Sequence, residues 1–308
     1  MSMKGKVVFV SGGSRGIGLA TAIRFSREGC NIVITGKTST THPKLPGTIH
    51  SAAQECLDNG ASGALAVPCD IRDEKQVVEA VAKAVERFGG IDVLLNNASA
   101  ISLTPTTETD SKMFDLMNQI NLRGTWLVTK YCIPHLIASA KRGRNPHVVN
   151  MCPPITLEPE TIGGKTAYMM AKYGMSLQVL GHSVELKEHG VGVNGIWPMY
   201  PIWTAALKNR LGMEASWAMK PDIHADAIYT IVNQPSTEYT GNLTIDTAIL
   251  ASQGITDLTP YQIDPTRSAP SLEEARFGAS KAHTFALPGK KVLLRPSTDL
   301  LARSRSSL

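Results

Sequence analysis

The sequence predicts an α/β fold: a doubly wound parallel sheet in three layers, forming a single domain with a C-terminal arm. Three observations predict it. Short apolar, β-branched runs bounded by Gly, Asn or Asp recur along the chain, as buried parallel strands require. Segments with helical periodicity separate them, and this strand–helix alternation implies right-handed crossovers with helices on both faces. The stretch SGGSRGIG, residues 11–18, follows the first run directly and leads into the first helical pattern.

In chain order, VVFV at 7–10 is the first strand and residues 19–28 the first helix. NIVIT at 31–35 follows as a strand. TSTTHPKLPGTIH at 38–50 is too long and too rich in proline for a tight connection, so it reads as a surface excursion near the site. ALAVP at 64–68, IDVLLN at 91–96, HVVNM at 147–151 and VGVNGIW at 191–197 are the remaining strands; residues 74–88, 111–137 and 167–189 carry helical periodicity. The rhythm stops after about Asp246, which sets the domain at 1–255 and leaves 256–308 as an extended arm with a mobile, basic tail.

With 308 residues, 43% apolar content and 19% charge, the chain can bury a large core. It reads as a soluble globular protein. It has no run near the roughly 18 apolar residues of a membrane span, and SGGS interrupts any secretory apolar core near the start. Its five cysteines form no CxxC, which points to buried free thiols in a reducing compartment. The eight histidines show no HxxxH spacing, so no metal is expected. From Ala275 onward seven basic residues face Asp299 alone, leaving the body near neutral, with 24 basic to 25 acidic residues despite a net +5. A basic patch confined to a tail does not describe a nucleic-acid site.

A backbone approaches a pyrophosphate closely only where side chains are absent, and a helix start offers free amides and a positive dipole end. Gly12, Gly16 and Gly18 supply the turn, the approach and the close packing of a dinucleotide-binding βαβ unit, a Rossmann fold; Ser14, Arg15 and Ile17 complete the turn. NAD-selective sites place a carboxylate about 20 residues further on. Between Glu28 and Glu55 there is none; Lys37 stands at that place, and with Arg15 it could flank a 2′-phosphate. NADP is therefore the expected cofactor, with NAD left open. In YMMAK, Tyr168 and Lys172 lie four apart and share a helix face near the same sheet edge.

Over roughly residues 4–246 the chain resembles the short-chain dehydrogenase/reductase superfamily, through SGGSRGIG, CDIRDE, NNAS, NQINLRGT, YMMAK and VGVNGIWP. GKTSTTHPKLPGTIHSAA, AYMMAKYGMSLQVLG and TGNLTIDTAIL resemble its hydroxysteroid dehydrogenase-like branch, whose members can carry a C-terminal sterol-carrier domain not expected here. The resemblance implies that Tyr168 is the acid/base and that Lys172 holds the nicotinamide ribose and lowers the phenol's pKa. It also implies that Asn121 holds a helix kink and a water connecting Lys172 to solvent, that Asp70 accepts from the adenine and that Asn97 shapes the cleft. Pro198 and Thr204 would lie along the nicotinamide. One departure stands out: where the family has a serine after the fifth strand, this chain has Pro153, which can donate nothing. Either Thr156 or Cys152 replaces that serine or the reaction is slow; as a nucleophile, Cys152 lacks a histidine base.

The expected function is an NADP-dependent oxidoreductase moving hydride between nicotinamide and a carbonyl or secondary alcohol, on a lipid-like or bulky hydrophobic small molecule. Residues 199–222, with Met199, Tyr200, Trp203, Leu207, Leu211, Met213 and Trp217, form either an apolar lid or core and subunit contacts. The alternatives are a cofactor-binding protein with little turnover, motivated by Pro153, and a pteridine- or imine-type reductase. The helical stretches at 111–137 and 167–189 suit a homodimer or homotetramer. The terminal Ser-Ser-Leu loosely resembles a peroxisomal address, leaving cytoplasm and peroxisome both open.

Overall fold

The structure, a computed structural model, describes residues 2–41, 46–208, 215 and 218–266. Seven parallel strands form one sheet in the order β3-β2-β1-β4-β5-β6-β7. They are β1 (Val7–Ser11), β2 (Asn31–Gly36), β3 (Gly63–Pro68), β4 (Val93–Asn96), β5 (His147–Met151), β6 (Gly192–Trp197) and β7 (Leu243–Ile245). Helices α1 (Gly16–Ser26), α2 (Ile49–Asp58), α3 (Glu74–Phe88), α4 (Ser111–Met117), α5 (Thr125–Lys141), α6 (Pro159–Ile162), α7 (Thr166–Glu185), α8 (Asp222–Val232) and α9 (Asp246–Ala251) connect and cover them.

Alternation along each strand divides the core into two. Val8, Val10, Ile32 and Ile34 pack with Phe25, Ile228 and Ile231 on one face; Phe9, Val33, Leu94 and Val148 pack with Val81, Val128 and Val179 on the other. This is the three-layer doubly wound arrangement expected, and its central strands are buried from end to end because both faces are covered. Helix boundaries follow local chemistry. The Asp73 carboxylate accepts from the amides of Lys75 and Gln76 to start α3, and Gly89 at φ +80° ends it. Thr48 and Ser51 form a reciprocal capping box at the start of α2.

The strand order reverses beside β1. The chain winds outward through β2 and β3, then returns to place β4 on the other side, pairing Ser11 with Asn96 at the carboxyl ends. The crevice above that pair is where an open parallel sheet places its ligand. At the opposite end, buried Asp92 accepts from Arg144, Ser139 and the amide of Val7, tying β4 to β1 and the end of α5.

Two departures from the sequence reading are informative. The helical stretch at 111–137 is not one regular helix: a π-helical turn, Asn118–Gly124, separates α4 from α5. β7, only three residues long, continues the sheet past the last strand read from sequence. Beyond residue 255, Tyr261 donates its hydroxyl to Asp226 and Gln262 pairs with Met219, so the described start of the arm lies against α8. The tail lies outside the described residues. Among the described residues no helix is long and apolar enough to cross a membrane, and all five cysteines are free and buried.

Candidate active site

A cleft of about 570 Å³ opens over the carboxyl ends of β1, β4, β5 and β6. Its floor is the glycine turn. Gly12 has φ +69°, and a Cβ there would lie 2.8 Å from the Ala98 Cα; a Cβ on Gly18 would lie 2.5 Å from the Asn97 amide. Neither position admits a side chain, so the turn lies flat against β4. Asn97 fixes it from below by donating to the carbonyls of Ser11 (3.1 Å) and Gly12 (2.8 Å). Gly16, φ +58°, faces Thr204 across the cleft at 3.2 Å from where its Cβ would be.

Of the residues singled out from sequence, Gly12, Ser14, Arg15, Gly16, Ile17, Lys37, Asp70, Asn97, Tyr168, Lys172, Pro198 and Thr204 all line this one cleft. Gly18 and Asn121 do not; each supports it from behind. Asn121, fully buried in the π-helical turn, exchanges two hydrogen bonds with the backbone of Ala100 (2.8 and 2.9 Å) and so fixes the loop after β4. Its side chain is committed to another segment rather than to its own helix.

At one end of the cleft Arg15 donates to the carbonyls of Pro46 (2.9 Å) and Gly47 (2.9 Å). Lys37 lies 3.3 Å from Asp70, whose carboxylate also takes a bidentate bond from Arg72. The Arg72 guanidinium, outweighing partial burial, holds Asp70 down at about 2. At the other end Tyr168 and Lys172 share a face of α7, as their spacing requires. Lys172 donates to the Met151 carbonyl at 2.8 Å, and its nitrogen lies 5.9 Å from the Tyr168 ring centre and 5.6 Å from that of Trp197. Burial lowers Lys172 to about 8 and pushes the Tyr168 phenol well above its ordinary value.

For the chain by itself, desolvation of the buried hydroxyl outweighs any lowering by Lys172. Nor do the two candidates for the missing serine reach the cleft. Thr156 is buried, accepts from the amide of Glu158 and has its backbone bonded to Tyr173. Cys152 is fully buried against Gly195 and raised to about 12 by burial, so it carries no thiolate for nucleophilic attack.

The sequence profile of the family described as short chain dehydrogenase matches residues 6–214. The chain belongs to the short-chain dehydrogenase family. Hydroxysteroid dehydrogenase-like protein 2 of Danio rerio is 48% identical over 266 residues, covering 85% of this chain and 62% of that protein. The human protein of that name is 47% identical over 267 residues with the same coverage. The chain thus spans about 62% of the length of these curated relatives. Among solved structures, a short chain dehydrogenase of Mycobacterium thermoresistibile is 45% identical, covers 94% of this chain and 100% of its own, and superposes with a TM-score of 0.81. At 24% identity, a metagenomic short-chain oxidoreductase in complex with NADP (TM-score 0.63; 78% of this chain, 96% of that one) and an NADH-dependent reductase complexed with NAD (TM-score 0.65; 79% and 95%) share the fold.

Several cleft residues of this short-chain dehydrogenase were not read from sequence. Trp197 ends β6 and lies 6.5 Å, centre to centre, from Tyr168; its place at the carboxyl end of a strand was the available signal. In the segment after β6, Ile202 lines the cleft beside Tyr200 and Leu207, two of the residues weighed as a lid; Tyr200 and Ile202 also pack into the core, as Met199 does. Leu211, Met213 and Trp217 lie outside the described residues. The segment is anchored at both ends by one buried pair: the Asp246 carboxylate accepts from the amide of Met199 (2.9 Å) and meets His224 of α8 at 3.0 Å.

Proposed function

We propose that this chain is an NADP-dependent oxidoreductase that interconverts a carbonyl and a secondary alcohol on a small, largely apolar molecule. The observation that carries the reading is that the side-chain-free glycine turn and the Tyr168–Lys172 pair line one cleft, of a size ordinary for a small-molecule site. The residues present fit a dinucleotide: Gly12 and Gly16 would let the pyrophosphate approach, Ser14 and Ile17 would flank it at the start of α1, and Asp70 would face the adenine. Arg15 and Lys37 would receive a 2′-phosphate. Lys37, the exposed partner of its ion pair with Asp70, can swing away at little cost while Arg72 keeps the carboxylate paired. When bound, nicotinamide supplies or accepts the hydride.

The chain's own part is positional and protonic. Pro198 and Thr204 would bound the nicotinamide end, and Lys172, with donors to spare after Met151, would hold the ribose hydroxyls. The Tyr168 hydroxyl makes no hydrogen bond to another described residue. Kept protonated by burial, it would deliver its proton to a carbonyl oxygen as that oxygen gains charge. Tyr200, Ile202 and Leu207 support an apolar substrate. Trp126, Met170, Leu177 and Val184, exposed on α5 and α7, support pairing of two copies through those helices.

Calorimetric titration with NADPH and NADH tests the cofactor assignment. NADPH should bind more tightly, and Lys37→Glu should remove about 10- to 100-fold of that preference, the value of a charge-assisted bond. If neither coenzyme binds, the proposal is wrong. Pro153 favours a second reading, a coenzyme-binding protein with little turnover; coenzyme binding without any Tyr168-dependent reduction would support it.

A further inference from the structure

A side cavity of about 20 Å³ adjoins the cleft, sharing Tyr168 and Trp197 with it. Its remaining walls are Pro153 and Pro154, the apolar Leu103 and Met169, and two polar residues, Thr161 of α6 and Lys165 just before α7. The prolines bring no donor from side chain or backbone nitrogen. Thr161 is 6% exposed, and its hydroxyl makes no hydrogen bond within the described residues. Lys165 is partly buried with no carboxylate within 4 Å among the described residues, and burial lowers its pKa, the sign of an ammonium lacking compensation. α7 starts beside it with no side-chain cap and no acidic residue in its first turn, so the positive end of a 20-residue helix adds to the same field.

A partly buried ammonium with no carboxylate beside it, an uncapped helix start and a hydroxyl without a hydrogen-bond partner among the described residues therefore meet at one side cavity with Tyr168. We infer that this side cavity binds the carboxylate of the substrate, and that Lys165 and Thr161 select oxo acids over neutral ketones. The inference rests on the oxidoreductase reading and narrows it. Lys165, just before α7, and Tyr168, in the first turn of that helix, line the same side cavity. A substrate carboxylate on Lys165 and a carbonyl on Tyr168, both at one small cavity, call for a short separation between the two groups, that of a 2- or 3-oxo acid, with its apolar chain running toward Ile202 and Leu207. The position lost at Pro153 is then offset differently: the acid group is anchored beside the reacting carbon, fixing the carbonyl against the phenol.

The test compares kcat/KM for 2-oxooctanoate and for its methyl ester with NADPH, in the wild type and in Lys165→Met, Thr161→Val and Lys165→Arg. The wild type should prefer the acid by tenfold or more. Lys165→Met should erase that ratio, Thr161→Val should reduce it, and Lys165→Arg should keep most of it. Equal use of acid and ester, or a ratio indifferent to Lys165→Met, overturns the inference while leaving the oxidoreductase reading intact. Octanoate, followed through Trp197 fluorescence, gives a second readout that needs no turnover. Saturable binding weakened about tenfold or more by Lys165→Met supports the carboxylate site even if no carbonyl is reduced. Absent binding, or affinity unchanged by the substitution, overturns it.

Discussion

Tyr168 and Lys172 were legible as a pair from their spacing, but their ionisation was not, because it depends on how much water the fold removes. Burial acts oppositely on the two: it holds the proton on the phenol and loosens it on the ammonium. The sign follows directly. Lys172 is charged below about 8 and neutral above it, while Tyr168 stays protonated across the same range. For carbonyl reduction, kcat/KM, which reports the free enzyme, should be level toward acid pH and fall as pH rises through about 8. A profile level to pH 10 would contradict the role given to Lys172. Pro153 could be read as a missing donor from sequence, whereas the seclusion of Thr156 and Cys152 follows only from how the loop after β5 folds back onto α7 and β6.

At the scale of elements, the strands and α3 were readable because burial on both faces and a strong amphipathic period leave little freedom. β7 was not, since three residues carry no period, and the π-helical turn was not, since one extra residue in a helical ring leaves the apolar pattern nearly intact. That turn matters because it puts Asn121 within reach of Ala100. The segment after β6 is a second case: its composition left lid and core undecided, and the structure divides it, Met199 inward and Leu207 along the cleft. The Asp246–His224 pair closes that segment's base. Asp246→Ala should leave the Met199 amide and His224 unpaired, costing about 1–3 kcal/mol of stability and raising KM more than it lowers kcat. Thermal unfolding and steady-state kinetics check this, and an unchanged KM would show that the segment is held elsewhere.

Across the whole molecule, the candidate site residues gather at one edge of the sheet. The order reversal at β1 and β4 opens the crevice, and residues as distant in sequence as Gly12 and Thr204 meet there. The Asp92–Arg144 cluster, equally buried in charge, lies at the other edge and ties strands together. Motifs far apart in the sequence meet at this edge because the carboxyl ends of parallel strands all point one way. The side cavity of Thr161 and Lys165 escaped notice because no motif spans it; it forms only where the loop after β5 meets the start of α7.

The most direct test of the central claim is single-turnover oxidation of bound NADPH by a carbonyl substrate, in the wild type and in Tyr168→Phe. A phenol acting as the proton donor predicts retained NADPH affinity with the hydride-transfer rate reduced by about 10² to 10⁴. Equal rates in the two proteins would contradict it.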